Sequence, residues 1–247
     1  MNKDDTYPLV SVVTVAKNAL WDLRATSESV AEQIYCNIEF IVIDGDSNDG
    51  TKDFIKKFEA ITKYKSEPDY GIYDAMNKGL AIATGEWLIF LNAGDRFMNS
   101  SSISNFVAAA NNKDSFVCSN FIIDGGDNAS IGKMVTTKPL QSCFGIVNTI
   151  CHQAVFFNRK YHPESYSTEY KICSDLDVLM KLVIQQRYTY YHLNMILVRY
   201  KGGGVSANNY KLLHKEREKI ISNYLSTVSF FINKINHLRI RFFHAFK

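Results

Sequence analysis

Proline is scarce in this chain, four residues in 247, and no stretch rich in proline, glycine and serine interrupts it. The sequence therefore carries no linker between its two halves, and collagenous and low-complexity classes are excluded. The five cysteines (Cys36, Cys118, Cys143, Cys151, Cys173) are odd in number and include no CxxC pair. Neither a disulfide scaffold nor a structural zinc site is implied, and a reducing cytoplasm fits. No run of about 18 uncharged apolar residues occurs that could cross a membrane as a helix. The opening MNKDDTYPLVSVV has two acids and no apolar run ahead of the first strand-like segment, unlike a secretory signal. Glycine-rich phosphate loops are missing as well, because KNALWDL follows that segment where GxGxxG or GxxxxGKS/T would stand. Dinucleotide-binding enzymes, P-loop NTPases and sugar-phosphate nucleotidyltransferases are thereby disfavoured. A large charge of one sign is also absent. The net charge is +3, with five Lys/Arg and no acid in 219–247, which leaves 23 basic against 25 acidic residues in 1–218. A body of that balance argues against nucleic acid as a partner.

With 46% apolar residues the chain can bury a sizeable core, and its length suits one α/β domain, taken as 1–210, followed by a helical basic tail, 211–247. PLVSVVTVA (8–16) and IEFIVID (38–44) are β-branched runs of buried-strand type. Between them Leu20, Leu23, Val30 and Ile34 lie at helical spacing. Phe54, Ile55, Phe58 and Ile61 mark a second helix, Ile72 to Ala83 a third, and EWLIFLN (86–92) a further strand. Such alternation predicts a Rossmann-like, mostly parallel sheet flanked by helices, whose ligands bind beyond the carboxyl ends of the strands. In the second half SFVCSNFIID (115–124), SIGKMVTT (130–137), HQAVFFN (152–158) and RYTYYHLNMILVRY (187–200) read as strands, several of them antiparallel additions, and Asp175 to Gln186 as a helix.

Asp44 closes the second strand and opens the turn GDSNDG, and Asp95 ends EWLIFLNAGD behind Gly94. A strand-end carboxylate can hold a hard divalent cation, or simply serve turn and cap hydrogen bonds. GDSND is no nucleophile elbow, since Asp49 stands where the second glycine belongs. Cys151 and His152, neighbours on an expected strand, would face opposite ways and could not form a thiolate–imidazole pair.

In order along the chain, VSVVTVAKN, FIVIDGDSNDGT, SEPDYGIYDAMNKGLAIATGEWLIFLNAGD, CHQAVFF, CSDLDVLMKL and KGGGVS resemble the family-2 inverting glycosyltransferases of GT-A fold. The resemblance is to the bacterial branch that builds surface polysaccharides such as colanic acid, capsule and O-antigen, and it covers roughly residues 8–206. It implies a donor half of about 1–98 and an acceptor half of about 99–210. Thr14, Ala16, Asn18, Asp44, Asp74, Asn77, Lys78, Asn92, Ala93 and Gly94 would then surround a nucleotide-diphosphate sugar of the UDP type. Asp95 would hold manganese or magnesium, His152 and Gln153 would lie on the acceptor side, and Asp175 would be the catalytic base. Two departures stand out: Gly45 follows Asp44 where the family often has a second Asp, and Gly94 replaces an acid of the DxD-type metal motif. Ser174 and Asp175 are also good helix caps, the competing use of both.

The resemblance further implies a lipid-linked, undecaprenyl diphosphate type saccharide as acceptor, and a place at the inner face of the bacterial cytoplasmic membrane. The rival reading is a catalytically silent nucleotide-sugar-binding or scaffold subunit, motivated by the thinned metal motif. In the tail, Ile221, Leu225, Val228, Ile232, Ile235, Leu238, Phe242 and Phe246 recur every three or four residues beside a basic stripe of Lys234, His237, Arg241 and His244. Such a helix suits an anionic membrane surface; packing on the body or at a homodimer interface is the alternative.

Overall fold

The computed structural model describes residues 7–110, 113–125, 132–135, 150–204 and 208–224. Its first half runs β1 (Val10–Ala16), α1 (Leu20–Ala31), β2 (Ile38–Asp44), α2 (Thr51–Lys57), β3 (Lys63–Ser66), α3 (Ile72–Ile82) and β4 (Trp87–Phe90). The second half runs β5 (Arg96–Phe97), α4 (Ser102–Ala109), β6 (Phe116–Ile123), β7 (Met134–Val135), β8 (Val155–Asn158), α5 (Ser174–Met180), β9 (Tyr191–Tyr200) and α6 (Tyr210–Tyr224). The sheet order is β3-β2-β1-β4-β8-β6-β9-β5, with β7 on the side of β6. The β3-β2-β1-β4 half is wholly parallel, whereas β8 runs antiparallel to both β4 and β6, and β5 antiparallel to β9. This is the α/β architecture the sequence predicts, a parallel half extended by antiparallel strands.

Every residue of β1 is buried, as befits a parallel strand covered on both faces. Its alternation divides the core in two. Val13 and Val15 join Ile41, Ile43 and Met76 on the side of α3 and α5, while Val10 and Val12 join Phe40, Leu23 and Phe106 on the side of α1 and α4. α3 lies so close to the sheet that a Cβ on Gly79 would meet Val13 Cγ1 at 2.4 Å.

Several expectations need correction. α1 stops at Ala31, so Ile34 falls beyond the helix and is exposed rather than on its buried face. β3 and α4 are additional to the expected elements: KYKS of β3 is an edge strand with three exposed side chains, whereas α4 buries Ile103 and Phe106 at helical spacing. The helix expected over 175–186 is α-helical only to Met180 and widens into a π-type turn over Lys181–Gln185. His152–Ala154 forms a 3-10 turn, not the start of a strand, because β8 pairs only from Val155. The opposite-faces argument for Cys151 and His152 therefore does not apply. Of SIGKMVTT only Met134–Val135 is strand within the described residues. The tail beyond Tyr224 lies outside the described residues, and no helix among those described is long and apolar enough to cross a membrane.

Candidate active site

A cavity of about 680 Å³ opens beyond the carboxyl ends of β1 and β4, its walls including Ala16, Asp22, Asn92, Asp95, His152 and Asp175. β1 is where the strand order reverses, since the chain goes outward through β2 and β3 and returns on the other side as β4. Loops leaving adjacent strand ends diverge there and leave a crevice.

One wall is the turn from Asn92 to Asp95, closed by the Asp95 N–H donating to Asn92 O at 2.9 Å. Thr26 of α1 stitches it down: its hydroxyl accepts the Gly94 N–H at 2.9 Å and lies 2.8 Å from Asp95 O. Gly94 has φ +101°, and a Cβ there would meet Lys201 Cδ at 2.5 Å. Backbone conformation and space both require glycine, which accounts for the missing acid. Asp95 is buried, and its Oδ1 accepts the Lys201 N–H at 2.9 Å. Burial pushes its carboxyl up to about 7 against the opposing Lys201 N–H and the charges of His152 and Lys201. The Lys201 ammonium lies 2.6 Å from both oxygens of Asp22.

The facing wall carries Asp175 at the start of α5. Its Oδ1 accepts the Tyr73 hydroxyl at 2.7 Å and its Oδ2 lies 3.0 Å from His152 Nδ1. Burial raises the Asp175 pKa, but the His152 charge and the bonds from His152 and Tyr73 outweigh it, so the carboxyl stays below its ordinary value. Tyr73 is held by α3 and stacked on Tyr166 at 5.7 Å between ring centroids. Burial, with Asp175 beside it, raises the Tyr73 phenol well above its usual range, so it remains a donor. His152 Nε2 is buried with no partner among the described residues. The Cys151 thiol is also driven upward by burial and bonds Gln153 Oε1 at 2.7 Å, which leaves it no nucleophile.

Of the residues singled out from sequence, Ala16, Asn92, Ala93, Asp95, His152, Gln153 and Asp175 line this one cavity. Gly94 belongs to the wall turn, and the others are engaged elsewhere. Thr14 donates to Leu91 O at 2.7 Å, and Asn18, with φ +49°, accepts the Asn48 N–H at 2.9 Å. Asp44 accepts the Ser66 hydroxyl at 2.6 Å and the Ser47 N–H at 3.1 Å, the turn chemistry its setting allowed. Gly45 is closely overlaid, since a Cβ there would sit 2.1 Å from Asp69 Oδ2. Asp74 accepts the Tyr70 N–H at 3.1 Å and pairs with Lys78 at 3.0 Å. Asn77 exchanges two bonds with the Tyr166 main chain, at 2.9 and 2.7 Å. Tyr73, Asp22 and Lys201 were not anticipated. Tyr73 stands three residues before Met76 on the buried face of α3, a spacing that signals core and hides its hydroxyl.

The family model described as glycosyl transferase family 2 matches residues 11–172. The chain belongs to this family. An uncharacterised glycosyltransferase of Mycobacterium tuberculosis is 43% identical over 108 residues, a match spanning 43% of this chain and only 41% of that relative. A putative teichuronic acid biosynthesis glycosyltransferase of Bacillus subtilis, TuaG, is 25% identical over 216 residues, 84% of this chain and 85% of its own. Among solved structures, S. aureus TarS 1–349 in complex with UDP-GlcNAc superposes with a TM-score of 0.65 at 16% identity, covering 90% of this chain and 69% of that one. The Pyrobaculum calidifontis mannosyltransferase PcManGT, in complex with GDP-Man and Mn2+, gives 0.60 at 15% identity over 93% of this chain and 65% of that one. These likenesses establish the GT-A fold for this family-2 glycosyltransferase.

Proposed function

We propose that this glycosyltransferase moves a hexose or N-acetylhexosamine, with inversion, from a UDP-type sugar to a hydroxyl of a lipid-linked saccharide. The pathway it serves is bacterial surface polysaccharide synthesis at the inner face of the cytoplasmic membrane. The observation that carries the reading is the pairing of two carboxylates across one cleft. Asp175 is ionised and held by two donors, while Asp95 is buried at the opposite strand end. The TuaG likeness supports the polysaccharide context and the TarS complex the UDP-sugar.

An acceptor hydroxyl scarcely ionises near neutral pH, so a carboxylate taking its proton as the bond forms gains about 10²–10⁴-fold. Asp175 suits this role because Tyr73 and His152 keep it charged and fix its direction. His152, with Nδ1 on Asp175, orients the carboxylate and lines the acceptor side with Gln153. A hard divalent cation fits the facing wall. Asp95 is a buried carboxylate without a full counter-charge, and Asn92 Oδ1 is buried with no partner among the described residues. When bound there, manganese or magnesium would offset the charge growing on the departing diphosphate. A base opposite the leaving group gives single displacement, hence inversion.

A thermal-shift screen of nucleotide sugars with and without Mn2+ identifies the donor, and UDP release then measures turnover. Asp175→Asn should lower turnover by about 10²-fold or more while UDP affinity holds. Retention of a tenth of the activity would reduce Asp175 to a structural partner of Tyr73 and His152, and donor affinity indifferent to chelator would remove the metal from the reading.

A further inference from the structure

The segment leading into α5 has its polar groups satisfied from a distant element. A helix start leaves backbone N–H groups without partners, and Ser or Asp at that point ordinarily supplies the acceptor. Ser174 and Asp175 are both available, yet no side chain caps Cys173 at the helix start, and Ser174 Oγ is buried with no partner among the described residues. The oxygens of Asp175 are taken by Tyr73 and His152. Glu216 of α6, buried itself, takes the N–H groups of the segment that leads into the helix, ending at Cys173. Its Oε1 accepts the Lys171 N–H at 2.8 Å, and its Oε2 accepts the Ile172 and Cys173 N–H groups at 2.9 and 3.1 Å. Lys171, Ile172 and Cys173 also line the cavity that holds Asp175.

We propose that Glu216 is a positioning residue for the transfer reaction, an inference that rests on Asp175 as the base. By holding three consecutive N–H groups it fixes the strap 171–173 against α6 and leaves the Asp175 carboxylate turned into the cleft. A carboxylate accepting N–H groups makes charge-assisted bonds, stronger than neutral ones. Without Glu216 those N–H groups need another acceptor, and Asp175, two residues beyond Cys173, is a strong candidate by chemistry and proximity. Its rotation toward them would draw the base away from the acceptor hydroxyl and break the Tyr73 and His152 bonds. The donor, bound at the β1 and β4 ends, would be unaffected.

The test uses the full chain carrying Glu216→Gln or Glu216→Ala, each alone and combined with Asp175→Asn, with UDP release, donor KM, UDP affinity and melting curves recorded. Glu216→Gln should lower kcat by about tenfold or more and leave donor KM within about twofold, the pattern of an effect confined to the reacting step. In the Asp175→Asn background the same change should alter residual turnover by less than about twofold, because the group it positions is gone. Equal losses in both backgrounds, or an unchanged kcat in the single variant, would overturn the proposal. If Glu216→Ala does not melt cooperatively, Glu216→Gln, which keeps the side-chain length and one acceptor oxygen, decides. An active Asp175→Asn protein would overturn the base assignment itself and this inference with it, an outcome read from that variant alone.

Discussion

Tyr73 shows how one hydroxyl can belong both to the core and to the proposed reaction centre. Its ring extends from α3 and stacks on Tyr166, while its oxygen lies 2.7 Å from Asp175 Oδ1 and 2.6 Å from Ile172 O. Removing the hydroxyl deletes a bond that favours the ionised carboxylate, so the Asp175 pKa must rise. We expect Tyr73→Phe to move the acid limb of the kcat profile to higher pH, to lower turnover at neutral pH only through the lost hold on the carboxylate's direction, and to cost about 1–3 kcal/mol of stability because buried acceptors lose their donor. A profile superimposable on that of the unmodified protein would show that the bond does not tune the base. Asp175 also illustrates the limit of local reading. Its position at a helix start suggested capping as strongly as catalysis, and only the packing of α3, the 3-10 turn at His152 and α6 around it resolves the orientation.

Among the elements, β2 is tied to its neighbours through Glu39, a buried carboxylate in mid-strand. It accepts Ser11 Oγ of β1 at 2.6 Å, the Thr84 N–H at 2.8 Å and Thr84 Oγ1 at 2.6 Å, and pairs with Lys63 of β3. Burial opposes its ionisation, but the Lys63, Ser11 and Thr84 bonds prevail and lower its pKa from 4.5 to about 2. A depressed carboxylate contributes stability that is complete above its unfolded value, near 4.5, and that is lost as pH falls toward 2. The full contribution is about 3 kcal/mol. Urea unfolding at pH 7 and pH 3 should show this loss in the natural protein and a flatter dependence in Glu39→Gln. Identical slopes would assign acid sensitivity elsewhere. For α3 the contact at Gly79 decides between two effects. Alanine gains about 1 kcal/mol in helix propensity, whereas a methyl placed 2.4 Å from Val13 Cγ1 forces overpacking that costs about 1–3 kcal/mol. Gly79→Ala should therefore be destabilising in denaturant titrations, and a rise in midpoint would mean that α3 can shift off the sheet.

For the whole molecule, α6 is the last described element ahead of the basic tail. Ile220 is fully buried and Glu216 holds the strap, so α6 belongs to the body. Residues 226–247 hold four Lys/Arg and five Phe, and each basic residue near an anionic surface is worth about 1 kcal/mol. Deleting 226–247 should leave melting and donor hydrolysis intact and abolish sedimentation with anionic vesicles, whose binding to the full chain should weaken in high salt. Deleting 209–247 should instead lower the melting temperature steeply, since burying one isoleucine side chain alone is worth about 1.5–3 kcal/mol. A large drop on the shorter deletion with vesicle binding unchanged would place the tail on the body.

The sequence by itself determined β1, β2 and β4 of the parallel half, because a strand buried on both faces must be largely apolar, and these are, with Ser11, Thr14, Glu39 and Asp44 the buried exceptions. It also marked the strand-end turn at Asp95 and the order of motifs that places the chain in its family. Edge strand β3 escaped it, having little apolar periodicity to read, whereas the helical spacing of Ile103, Phe106 and Val107 in α4 was legible. The tertiary structure alone decided which polar side chains share a cleft. Tyr73, His152 and Asp175, which line it, and Glu216, which holds the strap 171–173, come from four separated segments, and each looks locally like a core, strand, cap or surface residue. Their arrangement is set by long-range packing, which brings donors and carboxylates from distant segments within hydrogen-bonding distance of one another.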